Sequence, residues 1–140
     1  MNTAKQLTDQ AWKLIEAKRL DGISDIFDAD CDFKMPGMEI RGLAPLRDLF
    51  AAYYTAFPNL QHQVKHSVES GDTVAVELRI TGTHTGPMQT PQGTVPATGK
   101  EVVWESCDYV RAKNGKIVSW HVYQDSVPFL TALGLIPAPR

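Results

Sequence analysis

The second half of the chain alternates between apolar and polar residues, and this period of two is the strongest constraint on the fold. The alternation begins at Leu60, and turn sequences interrupt it at Gly71-Asp72 and at 113–116 (KNGK). Side chains two apart lie on one face of a strand, and Asn-Gly favours a tight hairpin. We therefore predict antiparallel strands over 60–68, 74–80, 102–111 and 117–125, with a Gly-, Pro- and Thr-rich loop over 82–99.

The first half of the chain has helical spacing instead. Apolar residues recur at intervals of three and four over 3–20, where Thr3 is a suitable N-cap, and over 43–57, which Pro58 ends. The remaining elements are a short helix over 21–27, a strand at 33–35 that returns at 38–41, and a tail helix over 127–136. Helices followed by antiparallel strands indicate an α+β fold, in which a long curved sheet bends over the helices as a cone with an interior.

Length, charge and cysteine content narrow the class of protein. A chain of 140 residues fits one domain over 1–140 that is large enough for both a core and a cavity. The net charge of −2 is spread without a basic stripe, which argues against a nucleic-acid or membrane partner. Cys31 and Cys107 form neither a disulfide framework nor a zinc site, so we expect reduced, buried thiols. The N-terminal sequence lacks a secretory h-region, and the expected location is the cytoplasm.

The predicted last hairpin holds most of the residues suited to catalysis. Its two strands carry these acidic, aromatic, thiol, amide and imidazole side chains: Trp104, Glu105, Cys107, Asp108, Tyr109, Trp120, His121, Tyr123, Gln124 and Asp125. Which of them face each other depends on the turn between the strands.

Two registers of this hairpin are open. A two-residue type I′ turn at Asn114-Gly115 would place Asp108 opposite His121. A three-residue turn with Gly115 in a bulge would instead place Cys107 opposite His121. A slip of one residue exchanges the two faces of a strand, so the register decides which side chains share the interior.

In either register His121, Tyr123 and Asp125 share a face, because they are two apart. A histidine and a carboxylate in an apolar interior suit acid–base catalysis, since burial moves the pKa values of both groups toward neutrality. Each also has a structural interpretation. His121 can bond to a neighbouring strand, and Asp125 can cap a tail helix that begins near Pro128.

Aromatic residues supply candidate pocket walls, and the histidines do not predict a metal site. The candidate walls are Phe33, Tyr54, Trp104, Trp120 and Tyr123, although such aromatics are also typical of a plain core. His84 is a candidate rim residue in a loop. His62 and His66 would lie about 13 Å apart on a strand, too far for one metal ion. The nucleotide-binding, zinc-protease and nucleophile-elbow motifs are missing from the sequence.

Short motifs occur along nearly the whole chain in a familiar order. They are 33–37 (FKMPG) with Arg41-Gly42, 56–60 (AFPNL), 82–86 (GTHTG), 96–100 (PATGK), 114–118 (NGKIV), and Asp125 with Phe129-Leu130 and Leu133-Gly134. Their order and spacing resemble the SnoaL-like polyketide cyclase (ester cyclase) family of the nuclear-transport-factor-2-like superfamily. The resemblance implies a cone of curved antiparallel sheet with about three helices, a homodimer through the outer sheet face, and no metal or organic cofactor.

The resemblance also implies a chemistry. Polyketide cyclases of this family close a ring by intramolecular aldol condensation, with a carboxylate as acid and base. Their catalytic strand often reads GKIVEHWD with a later Asp, whereas 115–125 of this chain reads GKIVSWHVYQD. Here Trp120 precedes His121, the acidic residue that follows Trp in the motif is missing, and Asp125 matches the later Asp.

The first functional hypothesis is a cofactor-independent cyclase or isomerase that acts on an apolar, carbonyl-bearing small molecule. His121 and Asp125 would move the proton, and the substrate would contact Phe33, Tyr54, His84, Trp104, Glu105, Cys107 and Tyr123. The second is an epoxide-hydrolase-like enzyme that uses Glu105 and Asp125 as a carboxylate pair in the bulged register. The third is a non-catalytic pocket for an apolar ligand, and the fourth is a protein–protein module with an exposed apolar patch.

Overall fold

A computed structural model describes residues 1–90 and 93–137 of the chain. The helices are α1 (Ala4–Glu16), a 3-10 helix (Leu20–Asp25), α2 (Leu43–Ala56) and α3 (Ser126–Ala132). The strands are β1 (Phe27–Met35), β2 (Met38–Arg41), β3 (Gln61–Ser70), β4 (Thr73–Thr83), β5 (Met88–Thr90), β6 (Gly93–Val95), β7 (Glu101–Lys113) and β8 (Lys116–Gln124). Within these residues no helix is both long enough and apolar enough to cross a bilayer.

Six strands form the main sheet in the order β2-β1-β8-β7-β4-β3, while β5 and β6 form a separate hairpin. Every pair in the main sheet is antiparallel except β1 with β8, which run parallel. The parallel pair joins the first strand to the last one, and it was not predicted from the hairpin signals of the second half. Helix α1 packs against β3, β4, β7 and β8, and α2 packs against β1 and β2, so both helices cover the same face.

Helix α1 shows how the sequence directs this packing. Thr3 accepts a hydrogen bond from the Gln6 backbone, and the Gln6 side chain accepts one from Thr3, which forms a capping box. Its apolar residues recur at helical spacing and are buried against the sheet: Leu7, Ala11, Trp12 and Ile15. The predicted helices at 3–20 and 43–57 are therefore confirmed, with ends shorter by a few residues.

Three strand predictions differ from the structure. Strand β1 extends over nine residues, whereas only 33–35 was predicted. The region predicted as a loop over 82–99 begins inside β4 and contains the β5–β6 hairpin; positions 91 and 92 of it lie outside the described residues. An irregularity between Val64 and His66 moves His66 and Val68 to the outer face, so the alternation that begins at Leu60 does not keep them on one face with His62, as a regular strand would.

The segment after β4 is fixed to α2 by close backbone contact. The amides of Thr85 and Gly86 both donate to the Ala56 carbonyl, at 3.1 and 3.2 Å. A Cβ atom at Gly86 would lie 1.9 Å from the Thr55 carbonyl oxygen, so only glycine fits at this position. His84 is fully buried beside Phe57, and its Nδ1 accepts a hydrogen bond from the Thr98 amide at 3.2 Å.

The last hairpin adopts a third register that neither prediction anticipated. Asn114 and Gly115 both have positive φ, and Lys113 pairs with Lys116, as in a two-residue type I′ turn. Beyond the turn, however, Ala112 pairs with Ile117 and Arg111 with Ser119, which leaves Val118 as an extra residue in a bulge on β8. Tyr109 therefore lies opposite His121, and Asp108 lies opposite Val122.

Candidate active site

A cavity lies between the inner face of the sheet and the two covering helices. Its volume is about 50 Å³, which is below the range of about 300–1,000 Å³ for small-molecule pockets, so a ligand that reaches it must also occupy the wider space next to it. Six of its lining side chains are aromatic: Trp12, Phe33, Phe50, Tyr53, Trp104 and Trp120. Ser106, Asp108 and Gln124 are the polar residues of the lining.

The aromatic walls hold one another in place. The Trp120 ring centroid is 6.5 Å from that of Trp12 and 6.1 Å from that of Phe33, and Phe33 lies 5.8 Å from Phe50 at nearly a right angle. Rings at separations of about 4.5–7 Å attract each other in tilted and edge-to-face arrangements. The walls of the cavity are therefore apolar and packed against one another.

Asp108 places a single carboxyl group in this apolar space. It lies on β7 with the same alternation as Trp104 and Val110, so its side chain points inward and is only 2% exposed. One carboxyl oxygen accepts a hydrogen bond from Ser106 Oγ at 3.0 Å, and the other accepts one from Trp120 Nε1 at 2.9 Å. These two donors fix the orientation of the carboxyl group.

Burial changes the acidity of Asp108. Removal from water raises the pKa of this carboxyl to about 7, while the hydrogen bonds from Ser106 and Trp120 partly oppose that rise. Both the protonated and the ionised form of Asp108 are therefore accessible near pH 7. A group balanced in this way can both accept and return a proton at neutral pH, which is the property that general acid–base catalysis requires.

Tyr53 on α2 lines the same cavity. Its hydroxyl donates to Met35 Sδ at 3.6 Å, which is a long contact to a weak acceptor. Desolvation raises the pKa of Tyr53, and the nearby charge of Asp108 raises it further. The phenol therefore stays protonated and remains a hydrogen-bond donor at every pH at which the protein would work.

A wider space of about 890 Å³, within the range of about 300–1,000 Å³ for small-molecule pockets, continues from the cavity between α2, the β5–β6 hairpin and α3. Met35, Tyr53 and Gln124 line both spaces and so form the boundary between interior and mouth. The Gln124 side-chain amide donates to Ser126 Oγ at 3.1 Å, which ties this boundary to the start of α3. These three residues therefore lie where the two spaces meet.

Two of the substrate contacts predicted from the sequence, Phe33 and Trp104, line the cavity. Tyr54 is half-buried outside the lining, where Lys18 Nζ lies 6.0 Å from its ring centroid, and its neighbour Tyr53 lines the cavity instead. His84 is also outside the lining and is buried against Phe57 rather than at the rim.

His121 lies on the outer face of the sheet, away from the cavity. Its Nε2 contacts Asp32 Oδ2 at 2.9 Å and Ser119 Oγ at 3.2 Å, and Tyr109 is its partner across the strand pair. The bulge at Val118 is the physical cause, because it turns the odd-numbered side chains that follow it, Ser119, His121 and Tyr123, outward and Trp120 inward. The structural interpretation of His121, a bond to a neighbouring strand, fits this arrangement.

Asp125 is exposed and caps α3. Its Oδ1 accepts a hydrogen bond from the Val127 amide at 3.1 Å, which is the capping role that the sequence had suggested as the alternative to catalysis. Asp125 does not line the cavity, and the structure does not bring it into contact with His121 within the described residues.

Glu105, Cys107 and Tyr123 also lie on the outer face. Glu105 accepts a 2.9 Å hydrogen bond from Lys65 Nζ, and Cys107 is exposed rather than buried as expected. Since Glu105 and Asp125 both face solvent, the carboxylate pair of the epoxide-hydrolase hypothesis is not formed. Within residues 1–90 and 93–137, no three His, Cys, Asp or Glu side chains cluster as a metal site requires.

The sequence contained a signal for Asp108 that the register question obscured. Between 102 and 112 every even-numbered residue except Ser106 and Asp108 is apolar, so those two polar residues share the parity of the buried face. A carboxylate at a position that the alternation assigns to the interior indicates a functional group, because an isolated buried charge is costly.

Comparison with known proteins agrees with this architecture. The model of the SnoaL-like polyketide cyclase family matches residues 2–133. The chain belongs to the SnoaL-like polyketide cyclase family. Among curated proteins no match was found.

Solved structures of SnoaL-like and related proteins share the fold. AclR, a proposed hydroxylase from Streptomyces galilaeus, is 27% identical with a TM-score of 0.81, covering 98% of this chain and 84% of that chain. A proposed SnoaL-like polyketide cyclase from Jannaschia sp. CCS1 is 19% identical with a TM-score of 0.79, covering 98% and 97%. IdmH, a proposed polyketide cyclase from Streptomyces antibioticus, is 20% identical with a TM-score of 0.77, covering 95% and 99%. The predicted α+β cone of the nuclear-transport-factor-2-like superfamily is thus confirmed.

Proposed function

We propose that this SnoaL-like protein is a cofactor-independent enzyme that moves a proton on an apolar, carbonyl-bearing small molecule, as a cyclase or an isomerase does. Asp108 acts as the acid and base. The observation that carries this proposal is a buried carboxyl, held by two hydrogen-bond donors in an aromatic cavity, with a pKa raised to about 7. The sequence led us to expect His121 and Asp125 as the acid–base pair. Asp108 instead points to the inner face of the sheet, opposite to the face that carries His121.

The surroundings of Asp108 favour catalysis over simple storage of a ligand. An apolar pocket that only binds gains nothing from a buried carboxyl, because desolvating an ionisable group is unfavourable. The described residues around Asp108 supply Ser106 and Trp120 as neutral donors and place no basic side chain in the cavity lining. The pKa of the carboxyl therefore stays near 7, because no cation among these described neighbours lowers it through an ion pair.

The family motif offers a second line of support. When GKIV at 115–118 is aligned with the motif GKIVEHWD, the Asp that follows Trp in the motif falls at Val122. Val122 lines the cavity and lies directly opposite Asp108 in the register of β7 and β8. Opposed residues of an antiparallel pair have Cβ atoms about 5 Å apart. This chain thus presents a carboxyl at nearly the same place from the neighbouring strand.

The proposed reaction begins with ionised Asp108. The carboxylate takes a proton from the carbon next to a carbonyl group, the C–H electron pair becomes a C=C bond, and the carbonyl oxygen becomes an enolate oxygen. In an isomerase, protonated Asp108 returns the proton to another carbon of the conjugated system. In a cyclase, the nucleophilic carbon attacks a second carbonyl of the same molecule, and the new alkoxide takes the proton from Asp108. Both routes restore the carboxylate without an added reactant.

The test is the exchange of acidic C–H protons for deuterium in a model ketone. 2-Tetralone in D2O is followed by proton NMR with wild-type protein and with Asp108→Asn. We expect Asp108→Asn to lower the protein-catalysed exchange rate by about 10²- to 10⁴-fold, the usual contribution of a positioned general base. Asp48→Asn, which changes an exposed carboxylate on α2, is the matched control.

The same assay separates the two site assignments. Loss of exchange in His121→Ala with full activity in Asp108→Asn would return the chemistry to the outer face and refute the proposal. Buffer alone and urea-denatured protein serve as blanks. If native wild-type protein exchanges the protons no faster than these blanks, the result would instead favour a binding domain.

We also propose that the outer sheet face forms a homodimer, as the family resemblance implies. Tyr109 and Tyr123 are 49% and 59% exposed on that face and flank His121. Exposed tyrosines are enriched at protein interfaces. Sedimentation velocity should show a dimer that Tyr123→Asp weakens and that Lys113→Asp, at the exposed hairpin turn, does not. A wild-type monomer at micromolar concentration would contradict this proposal.

A further inference from the structure

The Tyr53 hydroxyl is a further polar group in the cavity that the acid–base chemistry of Asp108 does not use. Tyr53 enters from α2, whereas Asp108 enters from β7, so the two side chains approach the same space from different elements. The carboxyl oxygens of Asp108 already accept from Ser106 and Trp120. The Tyr53 hydroxyl donates elsewhere, to Met35.

The hydrogen bond from the half-buried Tyr53 hydroxyl to Met35 is a weak one. Among the described residues, the hydrogen-bond partner of the Tyr53 hydroxyl is Met35 Sδ, and the O···S distance is 3.6 Å. A thioether accepts weakly, and a polar donor in apolar surroundings gains far more from an oxygen acceptor. The hydroxyl is therefore positioned to exchange the sulfur for an oxygen atom of a bound molecule at little cost.

We propose that the Tyr53 hydroxyl donates a hydrogen bond to the carbonyl oxygen of the substrate while Asp108 takes a proton from the adjacent carbon. This inference rests on the proposed function and deepens it, because it assigns the ligand class: a ketone or ester whose oxygen lies at the mouth side of the cavity and whose acidic carbon faces β7.

The division of roles follows from the chemistry of the two groups. As Asp108 removes the proton from carbon, negative charge grows on the substrate oxygen, and a donor aimed at that oxygen stabilises the charge where it develops. Because burial and the charge of Asp108 both keep Tyr53 protonated, the phenol stabilises the enolate by a hydrogen bond and keeps its own proton. Asp108 alone then carries the proton between carbon atoms or to the new alkoxide.

Binding of a stable enolate mimic tests this role without turnover. 2-Naphthol has the ring system of the 2-tetralone enol, and naphthalene is the same ligand without the oxygen. Titrations followed by the fluorescence of each ligand should show that wild-type protein prefers 2-naphthol to naphthalene. Tyr53→Phe should reduce 2-naphthol affinity by about ten-fold or more, as expected for a lost hydrogen bond to a charged or polar oxygen, and should leave naphthalene affinity unchanged.

Tyr54→Phe is the matched control, because the adjacent tyrosine lies outside the cavity lining. In the exchange assay Tyr53→Phe should lower kcat for 2-tetralone by about 10²-fold, near the lower limit for removal of an oxyanion donor, with a smaller change in KM. Equal 2-naphthol affinity in wild type and Tyr53→Phe would overturn the inference, as would an equal loss of naphthalene affinity.

The two proposals can fail separately. If Asp108→Asn leaves exchange intact while Tyr53→Phe still lowers 2-naphthol affinity selectively, the acid–base role is refuted and the oxygen-binding role of Tyr53 stands. If Asp108→Asn abolishes exchange and Tyr53→Phe has no selective effect on 2-naphthol, the proposed function stands and the present inference is refuted.

Discussion

Replacing Asp108 with Asn should make the protein more stable at alkaline pH while it removes catalysis. The folded-state pKa of Asp108 is raised from 3.8 to about 7, so the folded protein holds this proton over a pH range in which the unfolded chain has lost it. A raised pKa contributes stability that is present at low pH and is lost as the pH rises from about 4 to 7. Asn has no such titration, so the variant does not lose stability in that range.

The magnitude follows from the two pKa values. Each pKa unit corresponds to about 1.4 kcal/mol, and integration between pH 5 and pH 8 gives a loss of about 2 to 3 kcal/mol for the wild-type protein that Asp108→Asn avoids. Asn can still accept one hydrogen bond, from Trp120 or from Ser106, so the variant keeps part of the local geometry.

Urea unfolding followed by the fluorescence of the buried Trp104 and Trp120 measures this difference. The free energy of unfolding of Asp108→Asn, relative to wild type, should increase by about 2 to 3 kcal/mol from pH 5 to pH 8. Asp48→Asn, at an exposed site, should show no such trend. If the difference between Asp108→Asn and wild type is the same at both pH values, Asp108 does not titrate near neutrality and the basis of the proposed function is wrong.

Three further predictions concern the site and its support. In the deuterium-exchange assay with 2-tetralone, kcat/KM should rise with pH and level off above about 7, because the base is ionised Asp108; a profile without an inflection between pH 6 and 8 would contradict this. Ser106→Ala should move that inflection to higher pH, since Ser106 donates to Asp108 and lowers its pKa, and an unmoved inflection would show that the serine does not tune the carboxyl. Gly86→Ala should lower the melting temperature markedly, because the added methyl collides with the Thr55 carbonyl; Ala97→Gly, in the exposed part of the same segment, serves for comparison, and equal melting temperatures would contradict the reasoning.

The strands could be predicted because alternation is a local property of the sequence. The same alternation shows which face of β7 is buried, so the inward position of Asp108 could have been predicted from the sequence. Strand β1 was harder: Asp28, Asp30 and Asp32 interrupt it with residues that are rare in strands, and its partner β8 is about 90 residues away. Strands so far apart in sequence are not joined by a short turn, so no turn motif predicts that they pair.

The bulges could not be predicted because they depend on tertiary contacts. Asn114-Gly115 forms the type I′ turn that its residues favour, yet the register changes within three residues of it. The bulge at Val118 lets Trp120 point inward, where its Nε1 meets Asp108 and its ring meets Phe33. Those contacts come from β7 and β1, and the sequence around the turn carries no information about them.

The single extra residue at Val118 decides which side chains of the last strand face the cavity. With the bulge, Trp120, Val122 and Gln124 face inward; a regular ladder that paired Val118 with Arg111 would instead turn Ser119, His121 and Tyr123 inward. Deletion of Val118 would remove the bulge and keep the present pairs, so the inward residues would not change. On this scaffold, straightening a bulge without any change in chain length would exchange an indole, an isopropyl group and an amide in the pocket for a hydroxyl, an imidazole and a phenol.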